Sequence, residues 1–122
     1  MPTASVCKQF RFEAAHRLDN HRGKCSRLHG HSYRVDVLAR GPVKDINGAS
    51  DEGMVLDFDE LKQAWAPMHD MLDHRFLNDL FRFPTTAENL ASWMLEQLHE
   101  RIELVYCVRV WETATAYAEA LL

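Results

Sequence analysis

The run His29-Gly30-His31-Ser32-Tyr33-Arg34-Val35-Asp36-Val37-Leu38-Ala39 alternates in polarity along its length. His31, Tyr33, Val35, Val37 and Ala39 share one parity, and Ser32, Arg34, Asp36 and Arg40 share the other. Side chains alternate across a strand, so this period predicts a half-buried β-strand over 29–39. Its apolar face opens with two histidines two residues apart. In an extended chain they lie on that face about 6.7 Å apart, at a rise of ~3.3 Å per residue. Two imidazoles so placed can lean onto one metal ion, which needs nitrogen at about 2.0–2.1 Å. Gly30 between them lets the backbone bend or another group approach. The plainer reading is two polar residues entering a strand.

Upstream, residues 5–16 repeat the pattern. Val6, Phe10, Phe12, Ala14 and His16 share a parity, with Lys8 the exception, while Cys7, Gln9, Arg11 and Glu13 take the other. This face also finishes on a histidine. Alone, His16 reads as a strand-end side chain bonded to a nearby carbonyl. If the two strands pair as an antiparallel hairpin, the end of the first lies beside the start of the second. His16 then comes close to His29 and His31. The loop between the strands, 17–28, carries Cys25 with Arg17, Arg22, Lys24 and Arg27.

Three neutral imidazoles with one open position describe a catalytic zinc site; with Cys25 as fourth ligand the site would be closed and structural. An open site can polarise a hydroxyl or carbonyl oxygen of a substrate. Cys25 is then a candidate base or nucleophile, its thiolate favoured by the metal or by Lys24 and Arg27. Those cations suggest an anionic substrate group, with phosphate the natural choice. A solvated loop explains them equally well.

Downstream, 41–53 reads as a loop with an Asn47-Gly48 turn. Asp57-x-x-Glu60 is a capping box that starts a helix, with Leu61, Trp65, Met68 and Leu72 as its apolar stripe. Pro67 predicts a kink or a split. Asp73 and His74 follow. They form an acid–base pair if the chain turns there, or a solvated helix end where His74 suits the dipole. Thr85-x-x-Glu88 starts a second helix, with Leu90, Trp93 or Met94, and Leu98 inward, His99 facing solvent, and an end near Arg101.

Residues 104–113 return to strand. Leu104, Tyr106, Val108, Val110 and Glu112 share a parity opposite to Val105, Cys107, Arg109, Trp111 and Thr113. A buried Glu112 would accept two parallel hydrogen bonds from a ligand presenting N–H and NH2 side by side. A fraying strand end that exposes Glu112 is the plainer reading. Residues 115–121 are predicted as a fourth strand, since 104–113 otherwise lacks an antiparallel partner. The order β-β-α-α-β-β gives an α+β layer: a four-stranded antiparallel sheet with two helices on one face. Its open edges point to oligomerisation.

A chain of 122 residues implies one domain over 1–122. The hydrophobic fraction of 47% and the charged fraction of 26% are those of an ordinary globule. A formal net charge of −4 argues against a nucleic-acid or anionic-membrane surface. No apolar run approaches the ~18 residues of a membrane span, and Met1 to Phe10 lack a signal-peptide core. Cysteines at 7, 25 and 107 fit a reducing cytoplasm better than a disulfide scaffold.

Seven stretches together resemble a known family: Phe12-Glu13-Ala14-Ala15-His16-Arg17-Leu18, Cys25-x-x-x-His29-Gly30-His31, Asp57-Phe58-x-Glu60-Leu61-Lys62, Leu72-Asp73-His74, Leu77-Asn78-Asp79, Pro84-Thr85-x-x-x-Asn89 and Glu112-Thr113. In order and extent they resemble the 6-pyruvoyltetrahydropterin synthase superfamily, and within it the bacterial 6-carboxy-5,6,7,8-tetrahydropterin synthases of queuosine biosynthesis. The spacing from Cys25 to His29 is similar to that of the carboxy type. The resemblance implies a tunnelling fold whose subunits form trimers stacked into a hexamer. It implies Zn2+ on His16, His29 and His31, and Cys25 as general base with Asp73 and His74 as acid–base partners. It implies Glu112 as the pterin anchor, with Thr113 beside it, and 7,8-dihydroneopterin triphosphate as substrate. Phosphate contacts then fall to Lys24 and Arg27. Segment 114–122 departs from the family pattern, which leaves its pairing open. The rivals are a 6-pyruvoyl or folate-related branch, a non-catalytic metal-binding protein, and an unrelated three-histidine zinc hydrolase.

Overall fold

The computed structural model describes residues 2–122. Two long strands, β1 (Thr3–His16) and β2 (His29–Pro42), pair antiparallel from Thr3↔Pro42 to His16↔His29. Both run further than the alternation alone marked. Two helices follow, α1 (Phe58–Leu72) and α2 (Ala87–Arg101), separated by the two-residue β3 (Arg75–Phe76) and a 3-10 turn, Leu77–Asp79. The chain closes with β4 (Val105–Trp111) and β5 (Tyr117–Leu121), paired antiparallel from Cys107↔Leu121 to Trp111↔Tyr117. The proposed partner for β4 is therefore present.

The sheet has five strands in the order β3-β1-β2-β4-β5, not four. The additional strand, β3, lies parallel to β1 at Ala14↔Arg75 and Ala15↔Phe76, which makes the sheet mixed. Two residues are too few to show a period in the sequence.

One face of the sheet packs against both helices. Phe12, Tyr33, Val35, Val37, Val108 and Val110 meet Leu61, Trp65, Leu72, Leu90, Met94 and Leu98 in one core. Phe12 stacks on Tyr33 with ring centroids 4.6 Å apart. The stripes of both helices are buried as their spacing requires, with Met94 rather than Trp93 fully inside α2.

Pro67 does not split α1, which runs unbroken to Leu72. Pro67 and Gln63 both lie on the exposed side, where water can take the carbonyl that proline leaves without a donor. Three further local expectations need correction. Thr86, not Thr85, caps α2: its hydroxyl accepts the Asn89 N–H at 3.2 Å. His99 does not face solvent; it is half-buried, with Nδ1 2.9 Å from the Val105 carbonyl. Finally, the parity of β4 breaks. The register steps from Leu38↔Cys107 to Ala39↔Val105, which leaves Tyr106 as an extra residue. This bulge turns Val105 into the same core as Val108 and Val110.

Candidate active site

The hairpin register sets His16 directly opposite His29 and places His31 opposite Ala14. All three histidines continue the apolar face that Phe12 and Tyr33 occupy further along. Their rings meet edge to face, with centroids 4.6 Å apart for His16–His29, 5.1 Å for His16–His31 and 4.9 Å for His29–His31. One nitrogen from each lies within 4.8 Å of the others. Tyr33 underlies the group, its ring 5.3 Å from His31 and 6.0 Å from His16. Burial, and then the charge of Glu112, push the Tyr33 hydroxyl far above its ordinary pKa, so it stays neutral.

Main-chain carbonyls fix two of the rings. His16 Nδ1 lies 2.8 Å from the Thr85 carbonyl oxygen and 3.2 Å from its hydroxyl. His29 Nδ1 lies 2.7 Å from the Arg27 carbonyl oxygen. A carbonyl can only accept, so in each ring Nδ1 carries the proton and Nε2 keeps its lone pair. His16 is completely buried, yet its Nε2 has no partner among the described residues. Burial holds the pKa of His16 and His31 below the usual value, which favours the neutral form that ligates metal. A buried, unpartnered Nε2 on a neutral imidazole whose Nδ1 is bound to a carbonyl, as in His16, is the chemistry of a transition-metal ligand. The three histidines fit a metal ion. Cys25 is not one of the group.

Asp73 is the C-cap of α1, and the Asp73–His74 turn docks its main chain onto β1 while the His74 side chain stays largely exposed. The Glu13 N–H donates to Asp73 Oδ1 at 2.8 Å, and the His74 N–H donates to the Glu13 carbonyl. His74, at this docked turn, takes a left-handed φ of 58°, uncommon outside glycine. His74 Nδ1 then lies 2.8 Å from Asp73 Oδ2. The Glu13 N–H, and after it His74, hold the Asp73 carboxyl below the usual carboxylate range. His74 and His31 border one groove along the sheet end. β3 continues the same contact, so the extra strand is what sets this pair beside the hairpin.

Glu112 lies just beyond the end of β4, its side chain 28% exposed and Oε2 3.5 Å from His31 Nε2. It is therefore neither buried nor frayed away from the site. Thr113 is exposed beside it and borders the same groove as Glu112 and His31. Cys25 is half-buried in a 3-10 turn, Lys24–Ser26, and its carbonyl accepts the Leu18 N–H at 2.8 Å. That bond ties the cysteine turn to the exit of β1, two residues after His16. Lys24 and Arg27 are exposed, and no contact draws their side chains toward the histidines among the described residues.

Two contributors carry no motif of their own chemistry. Asn78 clamps the main chain just after His16: Arg17 N–H donates to Asn78 Oδ1 at 3.0 Å, and Asn78 Nδ2 donates to the Arg17 carbonyl at 2.9 Å. Thr85, fully buried, orients His16. Both fall within stretches that carried the family resemblance, but nothing in residue type assigned them a task.

The model of the family described as 6-pyruvoyl tetrahydropterin synthase matches residues 5–121. The chain belongs to that family. It is 41% identical over 93% of its length to a 6-carboxy-5,6,7,8-tetrahydropterin synthase of Synechocystis, covering 89% of that protein. It is 31% identical to the protein of the same name from Haemophilus influenzae, with 93% and 96% of the two chains covered. Among solved structures, the 6-pyruvoyl tetrahydropterin synthase of Caenorhabditis elegans superposes with a TM-score of 0.86 at 30% identity, over 100% of this chain and 97% of the other. The tunnelling fold expected from the sequence is the fold of this family. No helix is long and apolar enough to cross a membrane among the described residues.

Proposed function

We propose that this member of the synthase family is a zinc-dependent lyase. It converts 7,8-dihydroneopterin triphosphate and one water to 6-carboxy-5,6,7,8-tetrahydropterin, acetaldehyde and triphosphate, the water supplying the second carboxyl oxygen. The observation that carries the reading is the convergence of His16, His29 and His31, two of them fixed by main-chain carbonyls with Nε2 left free. The identity to the cyanobacterial synthase supports the carboxy type.

His16, His29 and His31 would hold the zinc, which would supply a Lewis acid toward the oxygens of the substrate side chain. The chain's own groups do the rest. The Cys25 thiolate takes a proton from a carbon of the substrate side chain. His74, with Nδ1 tied to Asp73, has Nε2 available to receive and return a proton. Asp73, kept ionised, stabilises the imidazolium that forms. Glu112 accepts hydrogen bonds from the N–H and NH2 of the pterin ring, with Thr113 beside it. Lys24 and Arg27, on the Cys25 loop, offer charge to the phosphates. Subunits associate through the open edge of β5, where Tyr117 and Leu121 are exposed, into trimers stacked as a hexamer. The enzyme works in the cytoplasm, and its product feeds queuosine biosynthesis.

The second reading, a 6-pyruvoyl product, is favoured by the close superposition on the nematode enzyme. Mass spectrometry of the products formed by zinc-loaded protein from 7,8-dihydroneopterin triphosphate separates the two. The expected products are 6-carboxytetrahydropterin and acetaldehyde. A 6-pyruvoyl product would move the chain to the other branch, and no turnover with zinc bound would remove the synthase reading.

A further inference from the structure

We propose that Arg11 and Arg34 form a seat for a phosphate-type oxyanion on the sheet face turned away from the helices. The two arginines are direct cross-strand partners in the β1–β2 ladder. Partners of this kind have Cβ atoms about 4.5–5.5 Å apart, and like charges so placed repel. A chain with free choice of residues on an exposed strand face has no folding reason to oppose two guanidinium groups.

The neighbouring carboxylates resolve the conflict only in part. Asp36 accepts the Trp111 indole N–H at 2.8 Å and pairs with Arg34 Nε at 3.4 Å. Glu13 accepts the Ser32 hydroxyl at 2.8 Å. Arg11 makes no ion pair among the described residues. Arg34 is held in place from two sides: its guanidinium carbon sits 4.0 Å over the Trp111 ring, and Asp36 lies at its Nε. Arg34 and Arg11 line the same opening. An oxyanion between the two would convert the repulsion into a pair of charge-assisted hydrogen bonds.

The seat also communicates with the histidines. Pairing of β2 with β4 ends at Arg34↔Trp111, while β2 runs on to His29 and the chain beyond Trp111 turns away. That one opening is lined by His31 and Glu112 together with Arg11 and Arg34, and Gly30, without a side chain, borders it. The oxyanion therefore has two sources: the phosphate tail of a substrate held at the histidines, or free polyphosphate. The first source rests on the function proposed above; the seat itself does not.

The probe is inorganic tripolyphosphate, titrated calorimetrically into the zinc-loaded full chain at low salt, beside substrate kinetics. Arg11→Gln should weaken tripolyphosphate binding about tenfold or more, and Arg11→Lys should restore part of it. Removing one of two opposed charges also predicts that Arg11→Gln melts no lower than the parent in anion-free buffer, which excludes misfolding as the cause. Loss of tripolyphosphate affinity with a raised KM and unchanged kcat identifies the substrate tail. Loss of affinity with unchanged KM identifies the free anion. Loss of affinity in a protein that does not turn over the pterin triphosphate leaves the seat standing and removes the synthase reading. Equal affinity of parent and Arg11→Gln, or no binding to the parent, overturns the seat.

Discussion

The two faces of the sheet solve different problems with the same alternating strands. The helix-covered face is dry and closely packed, and it ends in three imidazoles, two of which, His16 and His31, keep a buried, unpartnered Nε2. The opposite face carries Arg34, Asp36, Arg109, Trp111 and Glu119, joined by ion pairs and by guanidinium groups lying over aromatic rings. On the first face, orientation comes from packing and from main-chain carbonyls. On the second it comes from ion pairs and ring contacts, several of them partly exposed to water, as Arg109–Glu119 is. Removing a group from the first face should therefore disable the protein or unfold it, whereas most groups on the second should be dispensable.

The largest expected effect lies at the end of the dry face. Cys25→Ala should lower kcat by about a thousandfold, in the range for loss of a general base, with zinc content unchanged by elemental analysis. A three-histidine hydrolase would instead keep most of its activity. Phe12→Ala, which removes the ring stacked on Tyr33, should cost about 3–5 kcal/mol in urea unfolding. A cost below 1 kcal/mol would show that the core relaxes around the loss.

Acid unfolding tests the junction where the Asp73 turn meets β1. The Asp73 carboxyl is held below its ordinary pKa by the Glu13 N–H and by His74. Its stabilising effect is therefore complete above about pH 4, the unfolded carboxylate range, and is lost as pH falls through the depressed folded value. Asp73→Asn should flatten the pH dependence of stability in that acid window. An unchanged slope would mean that the docking is not charge-assisted.

Smaller again, Thr86→Ala should cost about 1 kcal/mol, the usual worth of a helix N-cap, and leave metal affinity alone. The smallest effect belongs to the screened face. Arg109→Ala breaks an ion pair with Glu119 at 2.6 Å, but both side chains are partly exposed, so the loss should stay below about 1 kcal/mol and shrink further in salt.

The dry face was also the legible one. Alternation over 5–16 and 29–39 gave the hairpin, and the hairpin gave the three histidines, because one parity rule serves core and site together. Legibility stopped wherever a single residue changed the rule. Tyr106 inserts a bulge, so Val105 and Val108 share a core although their numbers differ in parity. Thr85 and Thr86 are chemically alike neighbours, and only the fold decides that one caps α2 while the other turns inward to His16. Glu112 could be read as buried or frayed, and it is neither, because β4 ends one residue earlier. Asn78 works through main-chain bonds that any local pattern hides. β3 is too short to leave a trace, yet it brings Asp73 and His74 to the sheet.

The rings of His16 and His29 are steered by the carbonyls of Thr85 and Arg27, groups that every amino acid possesses. Mutation can exchange those two side chains without erasing the acceptors. The tautomer of each ring is thus inherited through the path of the backbone rather than through residue identity. Lineages can drift at such positions while passing on the same donor geometry, and a designer copying the centre into another scaffold would have to transplant the loops as well as the ligands.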